Sequence, residues 1–144
     1  MNQNTNELAD TIFQVFRLLK GQMSFNNDIT YLSILQMHAL IFLHHNESVS
    51  MSDIASHFKI ELPSATSLVE KLHKKDLIVR SEDKNDRRLV VISLSEEGKK
   101  LVKQAMADRR KKLENMLNFF TDKERSELLN ILKKLYTRLQ EKNE

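Results

Sequence analysis

Apolar side chains recur every three or four residues along most of the chain, a spacing that predicts amphipathic helices. The first helix is expected over residues 4–20, between a capping residue at Asn4 and a helix-ending glycine at Gly21. A second helix is predicted over residues 31–44, as a scaffold for the segment that follows. Beyond it, the apolar pattern becomes shorter and then changes from helical to extended.

Residues 51–74 predict two short helices joined by a tight corner. Ser52 is the expected N-cap of the first helix, and Pro63 suits the first turn of the second. The break at residues 59–62 has the length of a helix-turn-helix corner, although it lacks the glycine often found there. The inward-facing residues of the second helix are predicted to be Ala65, Leu68, Val69 and Leu72.

The outward face of this second helix carries small hydroxylated side chains, followed by lysines. A helix start presents free N–H groups and a positive dipole end, which together bind phosphate. Small hydroxyl side chains also allow close approach to a groove. These features indicate a major-groove recognition helix, and a solvated surface helix is the alternative. The DNA-contact candidates of the two helices and of the turn after them are Ser52, Pro63, Ser64, Thr66, Ser67, Lys71, Lys74 and Lys75.

Two runs rich in β-branched residues, 77–81 and 89–94, flank a polar loop and predict a β-hairpin. A hairpin directly after a recognition helix is a wing, and arginine at its tip can enter the negative minor groove. A charged hairpin alone would only be solvated, but the order helix, helix, hairpin favours DNA contact. The candidates in the wing are Lys84, Asn85, Arg87 and Arg88.

The sequence resembles the MarR (multiple antibiotic resistance regulator) family of winged helix-turn-helix transcription factors, over nearly the whole chain. The resemblance rests on Ser52-Asp53-Ile54-Ala55, Ser67-Leu68-Val69-Glu70-Lys71-Leu72, Lys75-Asp76-Leu77-Ile78 and Asp86-Arg87-Arg88 leading into Ile92-Ser93-Leu94-Ser95-Glu96-Glu97-Gly98. The last run is similar to the family's wing signature. The resemblance implies that Arg88 reaches the minor groove, with Asp86 holding it or stabilising the wing. Asp76 departs from the pattern, because many relatives carry glycine there.

The predicted fold is therefore mainly α, of the α+β type, in a single MarR-type domain of residues 1–144. The winged helix-turn-helix is expected at 31–94, with the helix-turn-helix at 51–74 and the wing at 77–94. N- and C-terminal helices should form a dimerisation domain.

The terminal helices, at 4–20 and within 96–142, are more apolar than a small winged-helix domain needs. The simplest explanation is that two chains interleave as a homodimer, which would place two recognition helices about 34–36 Å apart. The predicted interface residues are Leu8, Ile12, Val15, Leu128, Leu132, Leu135 and Leu139.

The amino-acid composition and the distribution of charge exclude some classes of site and location. The chain has 144 residues and no cysteine, which excludes disulfides and thiolate metal sites. Neither a signal peptide nor a membrane span is expected, so a cytoplasmic location is predicted. Residues 1–70 hold three basic and seven acidic side chains, and residues 71–144 hold twenty and thirteen. The net charge thus changes from −4 to +7 at the end of the recognition helix.

No residue pattern supports an enzyme, a cofactor or a metal site, and the five histidines are interpreted as structural. The leading hypothesis is a dimeric, sequence-specific regulator of double-stranded DNA, more often a repressor in this family. The alternatives are a ligand-independent architectural factor and a winged-helix module that binds a protein partner.

The resemblance also implies an effector, a small aromatic or anionic compound bound where the dimer helices meet the winged helix. An arginine beside aromatic rings suits an aromatic carboxylate. A surface arginine near ordinary core aromatics is the alternative. The candidate pocket residues are Phe13, Arg17, Tyr31, His38 and Phe42.

Overall fold

A computed structural model describes residues 3–22 and 32–142 of the chain. Within these ranges the fold is mainly helical with one small sheet, which confirms the predicted fold class. The elements are α1 (Gln3–Gln22), α2 (Ile34–His45), β1 (Val49–Ser50), α3 (Met51–Phe58), α4 (Leu62–His73), β2 (Ile78–Glu82), β3 (Val90–Leu94), α5 (Glu96–Leu117) and α6 (Asp122–Glu141).

The chain divides into two compact units, and the boundary between them falls inside α5. One unit is Ser24–Asp108, which contains the helix-turn-helix, the sheet and the first half of α5. The other combines Met1–Met23 with Arg109–Glu144, and thus contains α1, the second half of α5 and α6.

The sheet of the winged-helix unit is antiparallel, with the strand order β1-β3-β2. The wing is the β2–β3 hairpin, in which Ile78 pairs with Leu94 and Glu82 pairs with Val90. The short strand β1 adds to the other side of β3, where Val49 pairs with Ile92. The wing strands are therefore tied to the chain segment that leads directly into α3.

The core of this unit lies between the sheet and the helices. The four residues predicted to face inward from α4, namely Ala65, Leu68, Val69 and Leu72, are all buried, as the sequence pattern predicted. Leu40 of α2, Ile92 of β3 and Val102 of α5 belong to the same cluster. Burying a side chain of this size contributes about 1.5–3 kcal/mol, so this cluster holds the buried face of α4 against the rest of the unit.

Two predicted helix starts are wrong. The second helix begins at Ile34 rather than residue 31, because the Ser33 hydroxyl and the Gln36 side chain form a capping box. The N-cap of α3 is Ser50 rather than Ser52, since the Ser50 Oγ accepts from the Asp53 N–H at 3.1 Å. The Asp53 carboxylate accepts from the Ser50 N–H in return, at 2.8 Å.

The predicted ends of the first helix are also wrong. The described helix already includes Gln3, so Asn4 lies inside its first turn, and it continues through Gly21 to Gln22. A glycine ends a helix when it adopts the left-handed conformation. No described glycine has a positive φ, so Gly21 costs only its weak helix propensity, about 1 kcal/mol relative to alanine.

The corner of the helix-turn-helix is made without glycine. Lys59 adopts the left-handed conformation with a φ of 52°, and its N–H bonds back to the carbonyls of the last turn of α3. Asp76, after α4, does the same with a φ of 57°. These residues carry a cost that glycine would avoid, and the surrounding hydrogen bonds hold them in place.

Candidate nucleic-acid interface

The start of α4 is open for an anion. Its N-cap residue, Glu61, makes no side-chain hydrogen bond to the helix, and Pro63 occupies the first turn. The first N–H groups of the helix are therefore not closed by a capping side chain, and they carry the positive end of the dipole. A backbone phosphate fits this requirement.

Small side chains line the outward face of α4. Thr66 donates its hydroxyl to the Leu62 carbonyl at 2.9 Å, which fixes the side chain against the helix. The hydroxyl is thereby partly committed to the backbone, and the methyl group remains for contact with a groove. Most of the predicted contact residues on this helix and at its C-terminal end are exposed. They are Pro63, Ser64, Thr66, Ser67, Lys71 and Lys74.

Two further predicted contact residues of the helix-turn-helix differ from this group. Lys75 is half-buried in the turn after α4. Ser52 lies exposed in the first turn of α3, although it does not cap that helix. In the actual cap, the hydrogen bond from the Ser50 side chain lowers the pKa of the Asp53 carboxyl.

The tip of the wing is a closed loop held by one carboxylate. Asp83 Oδ1 accepts from the N–H groups of Asn85, at 2.8 Å, and Asp86, at 2.9 Å. The backbone adds a bond from Asp83 to Leu89 and another from Leu89 to Asp86. The loop thus presents Lys84, Asn85 and Arg87 as exposed side chains on a fixed backbone.

Asp86 holds the side chain of Arg88. The Arg88 Nε–H donates to Asp86 Oδ1 at 3.0 Å, and an Nη2–H donates to Oδ2 at 3.1 Å. The Arg88 N–H also donates to Oδ1, at 3.1 Å. The hydrogen bonds from Arg88 lower the pKa of Asp86, and the same contact raises the pKa of Arg88. The Arg88 side chain is nevertheless 90% exposed, so it projects from the wing while its orientation is restricted.

The comparisons with known proteins agree with this geometry. Residues 32–90 match the sequence profile of the MarR family. The chain is 24% identical to the HTH-type transcriptional repressor MdtR of Bacillus subtilis, over 93% of this chain and 86% of MdtR. It is 31% identical to the uncharacterized HTH-type transcriptional regulator YfiV of B. subtilis, over 65% of this chain and 59% of YfiV.

The match to the MarR family thus covers α2, β1, α3, α4 and β2. The fold of the chain is similar to that of a MarR family protein from Bacillus stearothermophilus, with a TM-score of 0.80 and 23% identity over 97% of this chain and 99% of the other. It is also similar to a mutant of Staphylococcus aureus MepR that was solved bound to an oligodeoxyribonucleotide, with a TM-score of 0.64 and 19% identity over 96% and 99% of the two chains.

Three contacts that hold the MarR winged helix together are not apparent from its sequence. Arg80 of β2 forms an ion pair with Glu70 of α4, which ties the wing to the recognition helix and lowers the pKa of Glu70. Asp83, described above, closes the wing tip. Ser95 donates its hydroxyl to the Asp76 carbonyl at 2.6 Å. The Glu70–Arg80 and Asp76–Ser95 contacts join residues that meet only in the tertiary fold, so their spacing gives no signal. The Asp83 contacts are local to the turn, where Asp is a common residue, but the sequence does not single out Asp83 among its neighbours.

Most of the predicted dimer residues are solvent-exposed in the single chain. On α6, Leu132 is 51% exposed and Leu135 is 50% exposed, and Leu139 is similarly open. On α1, Leu8, Ile12 and Val15 are exposed too, whereas Leu128 is half-buried. Apolar side chains exposed in such numbers fit an interface, and their place in a dimer stays a prediction.

The predicted effector residues also stay a prediction. Tyr31 lies outside the described residues, and Phe13, Arg17 and His38 are exposed. Phe42 is half-buried, and its ring stacks on that of His57 with centroids 4.0 Å apart. One face of the Phe42 ring is therefore already covered within the winged-helix unit.

Two other features of the described ranges bear on alternative functions. No group of three or more His, Asp or Glu side chains there comes together as a candidate metal site. Within the same residues, no helix has both the length and the apolar character that crossing a bilayer requires.

Proposed function

We propose that this protein is a homodimeric transcriptional repressor that binds a palindromic operator through its winged helix-turn-helix. The MarR match over residues 32–90 and the winged-helix fold support a DNA-binding transcription regulator. Two exposed elements of one unit support this proposal. The start of α4 is rich in hydroxyl groups and has no capping side chain, and Arg88 of the wing is held by Asp86.

Each element suits a different part of DNA. The start of α4 offers N–H groups to phosphate, while Ser64 and Ser67 can hydrogen-bond to base edges in the major groove. Arg88 has five guanidinium N–H groups, and Asp86 engages two of them. The rest can donate to acceptors in a minor groove, whose negative potential attracts arginine.

The repressor and dimer parts of the proposal rest on separate observations. MdtR, to which the chain is similar over most of its length, is named as a repressor. The exposed apolar residues of α1 and α6 support association of two chains. A two-fold dimer would read two half-sites about one helical turn apart, which requires a palindromic operator.

We further propose that a small aromatic or anionic effector controls operator binding, and that the protein acts in the cytoplasm. Such a compound can release DNA only if it binds more tightly to a state in which the recognition helices do not fit their half-sites. The effector part rests on the family resemblance and on the proposed dimer.

Arg88→Ala tests the role of the wing. The probe is a duplex selected by the wild-type protein from a random-sequence pool, and the measurement is fluorescence anisotropy. We expect the substitution to weaken binding roughly ten- to a hundredfold while leaving the fold intact, because a base-reading arginine is lost.

Arg138→Ala is the matched control for this test. Arg138 is also an exposed arginine, at 82%, and is paired with a carboxylate, that of Glu141. Arg138→Ala removes the same charge from a residue outside the proposed DNA interface. The affinity of this variant for the duplex should therefore stay close to that of the wild type. If Arg88→Ala bound the duplex as tightly as Arg138→Ala, the proposed wing contact would be wrong.

A further inference from the structure

The start of α4 carries an exposed apolar side chain beside its hydroxylated ones. Leu62 is the first residue of the helix and is 53% exposed. It is not one of the four buried residues of α4, so the core does not account for its apolar character. A single exposed leucine is ordinary on a protein surface. At this position it matters, because the N-terminal residues of a recognition helix contact base edges.

Thr66 brings a second apolar group to the same side of the helix. Thr66 lies four residues after Leu62, so the two side chains are neighbours on the helix surface. The Thr66 hydroxyl donates to the Leu62 carbonyl at 2.9 Å, so its proton is already used within the helix. The methyl group of this exposed residue is then available for contact. We call Leu62 and the Thr66 methyl group the apolar edge of α4.

The apolar edge is separate from the serine hydroxyls of the same helix start. Ser67 follows Thr66 directly, and successive residues of a helix point about 100° apart. Ser64 lies two residues from both members of the apolar edge, a spacing at which helical side chains do not face each other. One side of the start of α4 is therefore apolar, while another can form hydrogen bonds.

One chemical group of the major groove matches an apolar side chain. The donors and acceptors of the base edges would lose hydrogen bonds to water against the apolar edge without gaining any in return. The 5-methyl group of thymine is the apolar group that the groove presents, and apolar side chains and threonine methyl groups contact it. Adenine, guanine and unmodified cytosine have no such group.

We propose that the apolar edge of α4 recognises a thymine in each half-site of the operator through its 5-methyl group. Leu62 and the Thr66 methyl group cover the thymine methyl. The free N–H groups at the start of the helix hold a neighbouring phosphate and thereby fix the register. This inference rests on the proposed function and adds the identity of a base that the proposed function leaves open.

Replacing thymine with uracil tests the inference from the DNA side, because it removes the methyl group and leaves the pairing edge unchanged. The full chain is titrated by fluorescence anisotropy with the duplex selected by the wild type. It is also titrated with duplexes in which one symmetry-related pair of thymines at a time is replaced. We expect one pair to weaken binding about fifteenfold, which is about fourfold for each methyl group, and the other pairs to have little effect.

Leu62→Ala and Thr66→Ser test the inference from the protein side. Thr66→Ser removes the methyl group and keeps the hydroxyl that bonds to the Leu62 carbonyl. Ile34→Ala is the matched control, because Ile34 is also the first residue of a helix and is 69% exposed. Each variant is compared on its own thymine and uracil duplexes, so a general loss of affinity or stability cancels. The uracil effect should fall well below that of the wild type in Leu62→Ala and Thr66→Ser, and should persist in Ile34→Ala.

Three results would overturn the inference while leaving the proposed function intact, since the wild type would still bind the selected duplex. The selected half-sites could lack thymine, or no thymine pair could respond to uracil. Alternatively, Leu62→Ala and Thr66→Ser could keep the same uracil effect as Ile34→Ala. If the wild type selected no duplex from the pool, the proposed function would fail and this inference would fail with it.

Discussion

Leu135→Asp is expected to give monomers or unfolded chains in place of the proposed homodimer. Leu135 is half-exposed on α6, beside Leu132 and Leu139 on the same apolar stripe. In the proposed dimer this stripe is covered by a second chain, and a carboxylate there would be buried without a partner. The cost should be about 3 kcal/mol or more, which is roughly a hundredfold in the dimer dissociation constant.

Thr137→Asp is the matched control on the same helix. Thr137 is exposed among Lys133, Lys134 and Arg138, on a polar part of α6. The new charge is the same, but its position is solvated, so the variant should remain a dimer. Size-exclusion chromatography with light scattering measures both masses, and circular dichroism reports the helical content. A stable dimer of Leu135→Asp would place the interface elsewhere.

Gly98→Ala should destabilise the winged-helix unit more than an ordinary surface substitution would. A Cβ on Gly98 would collide with the backbone carbonyl of Leu77, and would lie 3.3 Å from a methyl group of Leu94. That carbonyl also accepts the Ser95 N–H at 3.1 Å, so it cannot easily turn aside. Either α5 or the start of the wing must shift. We expect a loss of about 3 kcal/mol in the free energy of unfolding.

The other glycine of the chain is a matched control for this measurement. Nothing lies within 4 Å of the position that a Cβ on Gly21 would take, and the residue is helical. Gly21→Ala should therefore keep or slightly raise the stability, because alanine is the better helix former. Urea unfolding followed by circular dichroism gives both values. An unchanged unfolding midpoint in Gly98→Ala would show that the backbone relaxes around the clash.

The helical and extended segments of the winged helix could be predicted from local patterns of apolar residues. The buried face of α4 follows from spacings of three and four, and the two wing strands follow from runs rich in β-branched residues. The N-cap of α3 could not be predicted in this way. Ser50 and Ser52 are both capable of capping, and the choice is decided by β1, which pairs with β3 and ends at Ser50.

Turn geometry was missed for a different reason. Lys59 and Asp76 adopt left-handed conformations that sequence reasoning assigns first to glycine. Their side chains do not favour this state, and only the packing of α3, α4 and the wing requires it. Local propensity therefore misjudges both positions, and at Asp76 the positive φ is one that glycine would adopt more easily.

The parts of the site that depend on long-range contacts were also beyond the sequence. Arg88 and Asp86 are two residues apart, so their pairing was expected from the wing signature. The ion pair between Glu70 and Arg80 joins a helix to a strand. No residue spacing indicates this pair, because its two members meet only after the sheet has formed.

The central claim is that the winged helix of this protein reads a specific DNA sequence. The most direct test is a fluorescence anisotropy titration of the wild-type protein with the selected duplex and with a scrambled duplex of the same composition, at two salt concentrations. We predict that the selected duplex binds at least about a thousandfold more tightly, with two chains per duplex. Both affinities should fall as salt rises, because phosphate contacts release counterions. Equal affinity for the two duplexes would contradict sequence-specific recognition, and no binding to either would contradict the DNA-binding function itself.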